Sequence, residues 1–228
     1  MISLNTIERW EEYKNSFKEA LPFKHVVIDN FFHEEVAYDL SNELNDLSQN
    51  GIELNTDEHQ FQNNKFFLSD LSLMPSLTQL VCRYSISNDM LSFISAITGI
   101  PYLQSDPTFS GGGIHISKNG GRLGMHEDFN ELELEDKILY RRINLLIYLH
   151  KEWDSSWGGN LILQKDDVIE KIEPLFNRAV IFDTVNTLHG NPERLNIPYD
   201  NYTRNSLAFY YYDGTIPTDI KKTAKWYN

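Results

Sequence analysis

The stretch Arg142-Ile143-Asn144-Leu145-Leu146-Ile147-Tyr148-Leu149 decides the fold class. It is short and rich in branched and aromatic side chains, and its polar members Asn144 and Tyr148 fall on one parity. It therefore reads as a strand with one apolar face and one face carrying selected polar groups. Three more runs read the same way: Asn160 to Leu163, Ala179 to Phe182 and Ser206 to Tyr212. Turn residues separate them, and ten of the 12 glycines lie between Gly111 and Gly214. From Phe109 onward the chain is expected to be an antiparallel sandwich or barrel.

The preceding residues follow a different period. Ile7, Trp10, Tyr13 and Phe17 recur at helical spacing from about Thr6, and Val36, Leu40, Leu44 and Leu47 predict a second helix stopped by Gly51. A third is expected from about Ser76 to Thr98, ended by Gly99. Between the first two, Phe23 to Ile28 reads as a strand. Ile52 to Lys65 is polar and aperiodic, so it reads as a surface loop that orders over a substrate, and the insert Glu193 to Thr203 as a second such loop. The expectation is a single α+β, mainly β domain over residues 1–228, with 1–108 a helix-rich support and 109–214 the catalytic core.

Composition narrows the function. Apolar residues at 41% supply a core, while a net charge of −13 repels phosphate backbones and anionic bilayers. Nucleic-acid and membrane partners are thus disfavoured. With Cys82 as the lone cysteine no intrachain disulfide forms, the first twenty residues carry no signal-peptide pattern, and no apolar run spans a bilayer. A cytoplasmic protein is expected.

The chemistry is carried by His126 and Asp128 in Met125-His126-Glu127-Asp128 and by His189 in Leu188-His189-Gly190. Residues i and i+2 of a strand point the same way, so His126 and Asp128 can converge on one ion, and His189 from a neighbouring strand completes one face of its coordination sphere. Two imidazoles and a carboxylate on one face leave open positions suited to non-haem Fe(II). Glu127 should point away from the ion. Arg204 and Ser206 share a parity facing the same interior, where the arginine fork needs a carboxylate that a dicarboxylate cosubstrate could supply. Tyr148, on the parity of Asn144, can present its hydroxyl to that carboxylate.

From Gly111 through Asp213 these residues resemble the prolyl 4-hydroxylase-like 2-oxoglutarate/Fe(II) dioxygenases. The match rests on His126-x-Asp128, Tyr148-Leu149 followed by Trp153 and Gly158-Gly159, Pro174-x-Phe176-x-Arg178, His189-Gly190 and Arg204-x-Ser206. The resemblance implies a double-stranded β-helix, the jelly-roll or cupin-like core, braced by the N-terminal helices. It implies iron bound by His126, Asp128 and His189, and 2-oxoglutarate held by Arg204 with Tyr148 and Ser206, with Asn144 on the same wall. His115 stands where many members carry a tyrosine, and Arg141 where related prolyl hydroxylases face substrate. The cofactors implied are Fe(II), 2-oxoglutarate and O2, with ascorbate as a stimulant. The reaction implied is hydroxylation of an unactivated C–H bond of an amino-acid, peptidyl or prolyl-type substrate, with release of succinate and CO2.

Two other classes fit the same ligands: a non-redox cupin-like protein binding a metal or small acid, and a zinc-dependent hydrolase. His25, His33, His59 and His150 lack partner spacing and read as surface or satisfied core residues. Cys82 is expected to pack, and Lys221, Lys222 and Lys225 to form a solvated basic tail.

Overall fold

The computed structural model describes residues 1–49, 54–134 and 136–227. Its helices are α1 (Leu4–Glu8), α2 (Trp10–Glu19), α3 (Glu34–Gln49), α4 (Ser76–Ser85) and α5 (Asn88–Thr98). Among the described residues the strands are β1 (His25–Ile28), β2 (Asn55–Thr56), β3 (Gln62–Leu68), β4 (Gln104–Ser105), β5 (Gly113–Glu127), β6 (Glu131–Leu134), β7 (Lys137–Tyr148), β8 (Leu161–Lys165), β9 (Val168–Ile172), β10 (Ala179–Asp183), β11 (Leu188–Asn191), β12 (Arg204–Asp213) and β13 (Lys225–Trp226).

Helical spacing explains which faces are buried. Tyr13 and Phe17 of α2, and Leu40, Leu44 and Leu47 of α3, lie in the core with Met90, Ile94 and Ile97 of α5. A fully buried side chain of this size stabilises the fold by about 1.5–3 kcal/mol. The first predicted helix is broken at Arg9, whose φ of −90° and ψ of 15° turn the chain, leaving Ile7 exposed. The third is two helices, because the Ser87 hydroxyl accepts the Met90 N–H and caps a new start. Gly99 ends α5 at φ +72°, as expected, whereas Gly51 lies outside the described residues.

All strands join one antiparallel sheet whose main path runs β1-β10-β7-β12-β5-β11-β8-β9. The path curls over itself: Leu161, Leu163 and Ile172 from its far end share an apolar cluster with Tyr148 of β7 and with Val180 and Phe182 of β10. This is the double-stranded β-helix, mainly β with a helical brace. The four strand stretches read from the sequence lie in β7, β8, β10 and β12.

Two expectations change. The polar stretch read as a loop over 52–65 begins with Ile52 and Glu53, outside the described residues, but its remainder contains β2 and most of the loop-to-strand transition into β3. β3 pairs with β5 over Gln62 to Leu68. Apolar alternation is missing because the side chains of Gln62 and Lys65 line the cavity rather than the core. The insert 193–203 has no helix or strand but is stitched down: Leu195 N–H donates to Gly121 O at 2.9 Å, and Leu195 and Ile197 are buried.

The boundary at 109 shifts as well, since β1 extends the sheet from β10, β3 covers the edge of β5, and β13 follows residue 214 yet pairs with β5. Backbone partners at these edges matter more than position in the chain. No helix among the described residues is long and apolar enough to cross a membrane.

Candidate metal centre

His126 and His189 are direct cross-strand partners on β5 and β11, so their rings lie side by side with centroids 4.4 Å apart. Asp128 follows the end of β5. One ligand atom from each residue lies within 4.8 Å of the others. Nε2 of His126 is 3.5 Å from Asp128 Oδ1, and Nε2 of His189 is 3.4 Å from Oδ2. Each Nδ1 meets a backbone carbonyl, Gly124 O at 2.9 Å and Thr187 O at 3.0 Å. A carbonyl only accepts, so each Nδ1 carries a proton and each Nε2 faces the carboxylate. Burial pulls the His189 pKa down to about 4 despite the attraction of Asp128. Although burial opposes ionisation of Asp128, Arg141 and the imidazoles hold its carboxyl well below the usual range. Neutral imidazole beside an ionised carboxylate is the donor set a divalent metal requires. Glu127 points away, as strand alternation demands, toward Lys221.

Arg141 is buried, with Nη1 2.8 Å from Asp128 Oδ2 and its guanidinium between the rings of Phe129, at 4.1 Å, and Tyr210, at 3.6 Å. It does not line the cavity into which the three potential metal ligands open. A bulge produces this placement. Tyr211 pairs with Ile143 but Tyr212 pairs with Arg141, so the extra residue Arg142 reverses the parity and turns Arg141 to the side of Asn144. Asn144 Nδ2 donates to Asp128 Oδ2 at 2.8 Å, so this residue orients the carboxylate as well as lining the cavity.

The cavity has a volume of about 260 Å³, and the three potential metal ligands open into it. Its wall is built in cross-strand rows. Ser206 of β12 pairs with His115 of β5 and Tyr148 of β7, and His115 pairs with Phe67 of β3. All four of these side chains line the cavity. One step along, Arg204, Ser117 and Lys65 form the next row.

Arg204 is buried, has no ion-pair partner among the described residues, and stands 4.9 Å over the Tyr148 ring. Its Nε and the Tyr148 hydroxyl are buried without hydrogen-bond partners. Such orphaned donors are a cradle for an anion. The glycine pair seen in the sequence makes room for it: Gly159 has φ +75°, and a Cβ there would fall 3.1 Å from Arg204 Cδ and 2.8 Å from Leu195 Cδ2. His115 is kept neutral by burial and by Lys65, and its Nε2 meets Gly111 O at 3.1 Å.

Two wall residues were missed from the sequence. Lys65 is half-buried, and burial lowers its pKa to about 8 against the attraction of Asp128. Its only signal was the Lys65-x-Phe67 alternation. Trp226 pairs through β13 with His126, lies 4.8 Å from that ring, and stacks on Phe61 with centroids 5.5 Å apart. Of the three basic residues around it, Lys222 and Lys225 are exposed as expected, but Lys221 is not solvated. Lys221 is buried with Nζ 2.9 Å from Glu127 Oε2 and 3.0 Å from Asp219 Oδ2, Lys222 pairs with Glu131 and Glu133, and the Tyr227 hydroxyl donates to Glu127. Of the remaining histidines, His150 is buried against Pro174 O and His25 against Phe23 O, while His59 packs on Trp226.

Among curated proteins no sequence matches the chain. Several solved structures share its fold. A prolyl hydroxylase from Trichoplax adhaerens, in complex with a hypoxia inducible factor oxygen degradation domain peptide fragment, aligns with a TM-score of 0.66 at 18% identity, covering 92% of this chain and 94% of that one. A prolyl-4-hydroxylase from Pseudomonas putida aligns at 0.60 and 16%, covering 90% and 98%. HygX from Streptomyces hygroscopicus, with nickel, 2-oxoglutarate and hygromycin B bound, aligns at 0.58 and 13%, covering 90% and 88%. Residues 97–212, just over half the chain and spanning every potential metal ligand and the Arg204 cradle, match the sequence profile of one family, and the protein belongs to the 2OG-Fe(II) oxygenase superfamily.

Proposed function

We propose that His126, Asp128 and His189 hold the Fe(II) of this 2-oxoglutarate-dependent oxygenase, and that Arg204, with Tyr148 and Ser206, receives the distal carboxylate of 2-oxoglutarate. The observation that carries the reading is the pairing, in one cavity, of a two-imidazole and carboxylate triad with a buried guanidinium that has no carboxylate of its own among the described residues. When bound, Fe(II) and 2-oxoglutarate activate O2 with release of succinate and CO2 and supply the oxidant for C–H hydroxylation. The protein's residues position these groups. Arg141 and Asn144 hold Asp128 ionised and oriented, the carbonyls of Gly124 and Thr187 fix the imidazole tautomers, and Phe182, Leu161 and Trp226 keep the surroundings apolar.

The substrate we infer is an amino acid, peptide or prolyl-type residue, supported by the fold shared with two prolyl hydroxylases. We infer a cytoplasmic location, where Fe(II) and 2-oxoglutarate are supplied and a lone buried thiol such as Cys82 stays reduced. Membership of the oxygenase family sets the cupin-like binder and the zinc hydrolase aside.

The test is anaerobic calorimetric titration of metal-free protein with Fe(II) and then 2-oxoglutarate, followed by succinate measurement on admitting O2. One metal and one 2-oxoglutarate per chain are expected, with metal binding lost in Asp128→Ala. Retention of tight iron binding by all three single alanine variants would overturn the assignment.

A further inference from the structure

Two cations on the cavity wall, Arg204 and Lys65, have no ion-pair partner among the described residues. The proposed function employs only the first. The pairings Lys65 with Ser117 and Ser117 with Arg204 put both in one cross-strand row, separated by two strand spacings, roughly 10 Å between backbones. Lys65 thus stands on the same wall as Arg204, two strands away from it, and beyond the Arg204 and Tyr148 cradle. Lys65 donates no side-chain hydrogen bond among the described residues, and its backbone is fixed by β3, with Lys65 O accepting from the Thr56 hydroxyl at 3.0 Å.

Charge counting shows that the cofactors do not neutralise it. Fe(II) and doubly ionised 2-oxoglutarate cancel, and Asp128 is matched by Arg141. Of the cavity's other charged side chains, Arg204 and Lys65 then face one anion, Asp57, which leaves one positive charge in excess, and in the proposed function Arg204 already has the distal carboxylate as its contact. The residual positive charge lies at Lys65. Asp57, exposed at the cavity edge and also without an ion-pair partner among the described residues, offers the opposite charge nearby. A cation on an enclosed wall with an anion at the rim is complementary to a zwitterion.

Building on the proposed function, we propose that Lys65 is the substrate-anion site of this enzyme. It binds the carboxylate of a small amino-acid substrate, whose ammonium group faces Asp57 at the rim. This selects a free amino acid over an internal peptide residue, which carries no carboxylate at that position.

The test uses full-length protein loaded with Mn(II) and saturating 2-oxoglutarate, titrated calorimetrically with the free L-amino acids and with their C-terminal amides. At least one free acid should bind tenfold or more tightly than its amide. That ratio should collapse toward one in Lys65→Met and persist in Lys65→Arg, with 2-oxoglutarate affinity in Lys65→Met falling less than threefold. Asp57→Asn should weaken the same acid.

Amides that bind as well as acids, or the absence of binding by any acid, would overturn the proposal. A tenfold loss of 2-oxoglutarate in Lys65→Met would also overturn it, by placing Lys65 in the cosubstrate site. If wild-type protein with Mn(II) fails to bind 2-oxoglutarate, the proposed function itself falls. Thermal melts of each variant verify that β3 still folds.

Discussion

Replacing Arg204 by Met should have opposite effects on the free and the loaded protein. Met fills most of the arginine's space but carries no charge and no donors. In the free protein the guanidinium is buried, with Nε unpaired and burial lowering its pKa, so its desolvation is not compensated. Removing an uncompensated buried ion in favour of an apolar side chain is neutral or stabilising. A gain of about 1 kcal/mol corresponds to a rise of about 2–4 °C in Tm for a chain of this size. In the loaded protein the same change deletes two charge-assisted hydrogen bonds, each contributing about 1.5–3 kcal/mol. A loss of about 4 kcal/mol is a weakening of 2-oxoglutarate by about a thousandfold. Calorimetry gives the affinity, and melts with and without 2-oxoglutarate give the stability. Saturating ligand should raise the wild-type melting point but leave that of Arg204→Met unchanged. Either a 2-oxoglutarate affinity within threefold of wild type or a lowered melting point of the free variant would refute the claim that this arginine is held in reserve for an anion.

Three further outcomes are expected. His126→Ala and His189→Ala should each retain little iron after dialysis, by metal analysis, and the double variant should be no worse than either alone, because each removes the same centre. Gly159→Ala should lower stability by about 2 kcal/mol in chemical denaturation and also weaken 2-oxoglutarate, since its φ of +75° and the contacts with Leu195 and Arg204 leave no place for a methyl group. An unchanged denaturation midpoint would contradict this. Cys82, fully buried with its thiol pushed by burial up to about 12, should resist thiol reagents at pH 8 until the chain unfolds. Its contribution to stability should be complete below the unfolded thiol value of about 8.5 and be lost as pH rises toward 12.

The legibility of this molecule follows from where its strands lie. β7, β10 and β12 are central, and their buried residues, such as Ile143, Leu145 and Ile147, must be apolar, so composition alone betrays them. The convergence of His126 and Asp128 was legible for a related reason, since residues two apart at the end of an extended strand share a side. β3 was not legible. It packs through backbone pairing with β5 and turns Gln62 and Lys65 toward the cavity instead of the core, so hydrophobic patterning had little to select. Trp226 was hidden because a two-residue strand has no period at all.

Arg141 shows the deeper limit. Parity assigns a side to every residue only while the ladder is regular, and the bulge at Arg142 moves Arg141 from the side that counting predicts to the carboxylate of Asp128. The pairing that creates the bulge lies seventy residues away, in Tyr211 and Tyr212, where no local pattern could announce it. Sites assembled from several strands are therefore legible in the residues that share a strand and obscure in those that meet only through register. Lys65 and Arg204, which meet through Ser117, belong to the second kind.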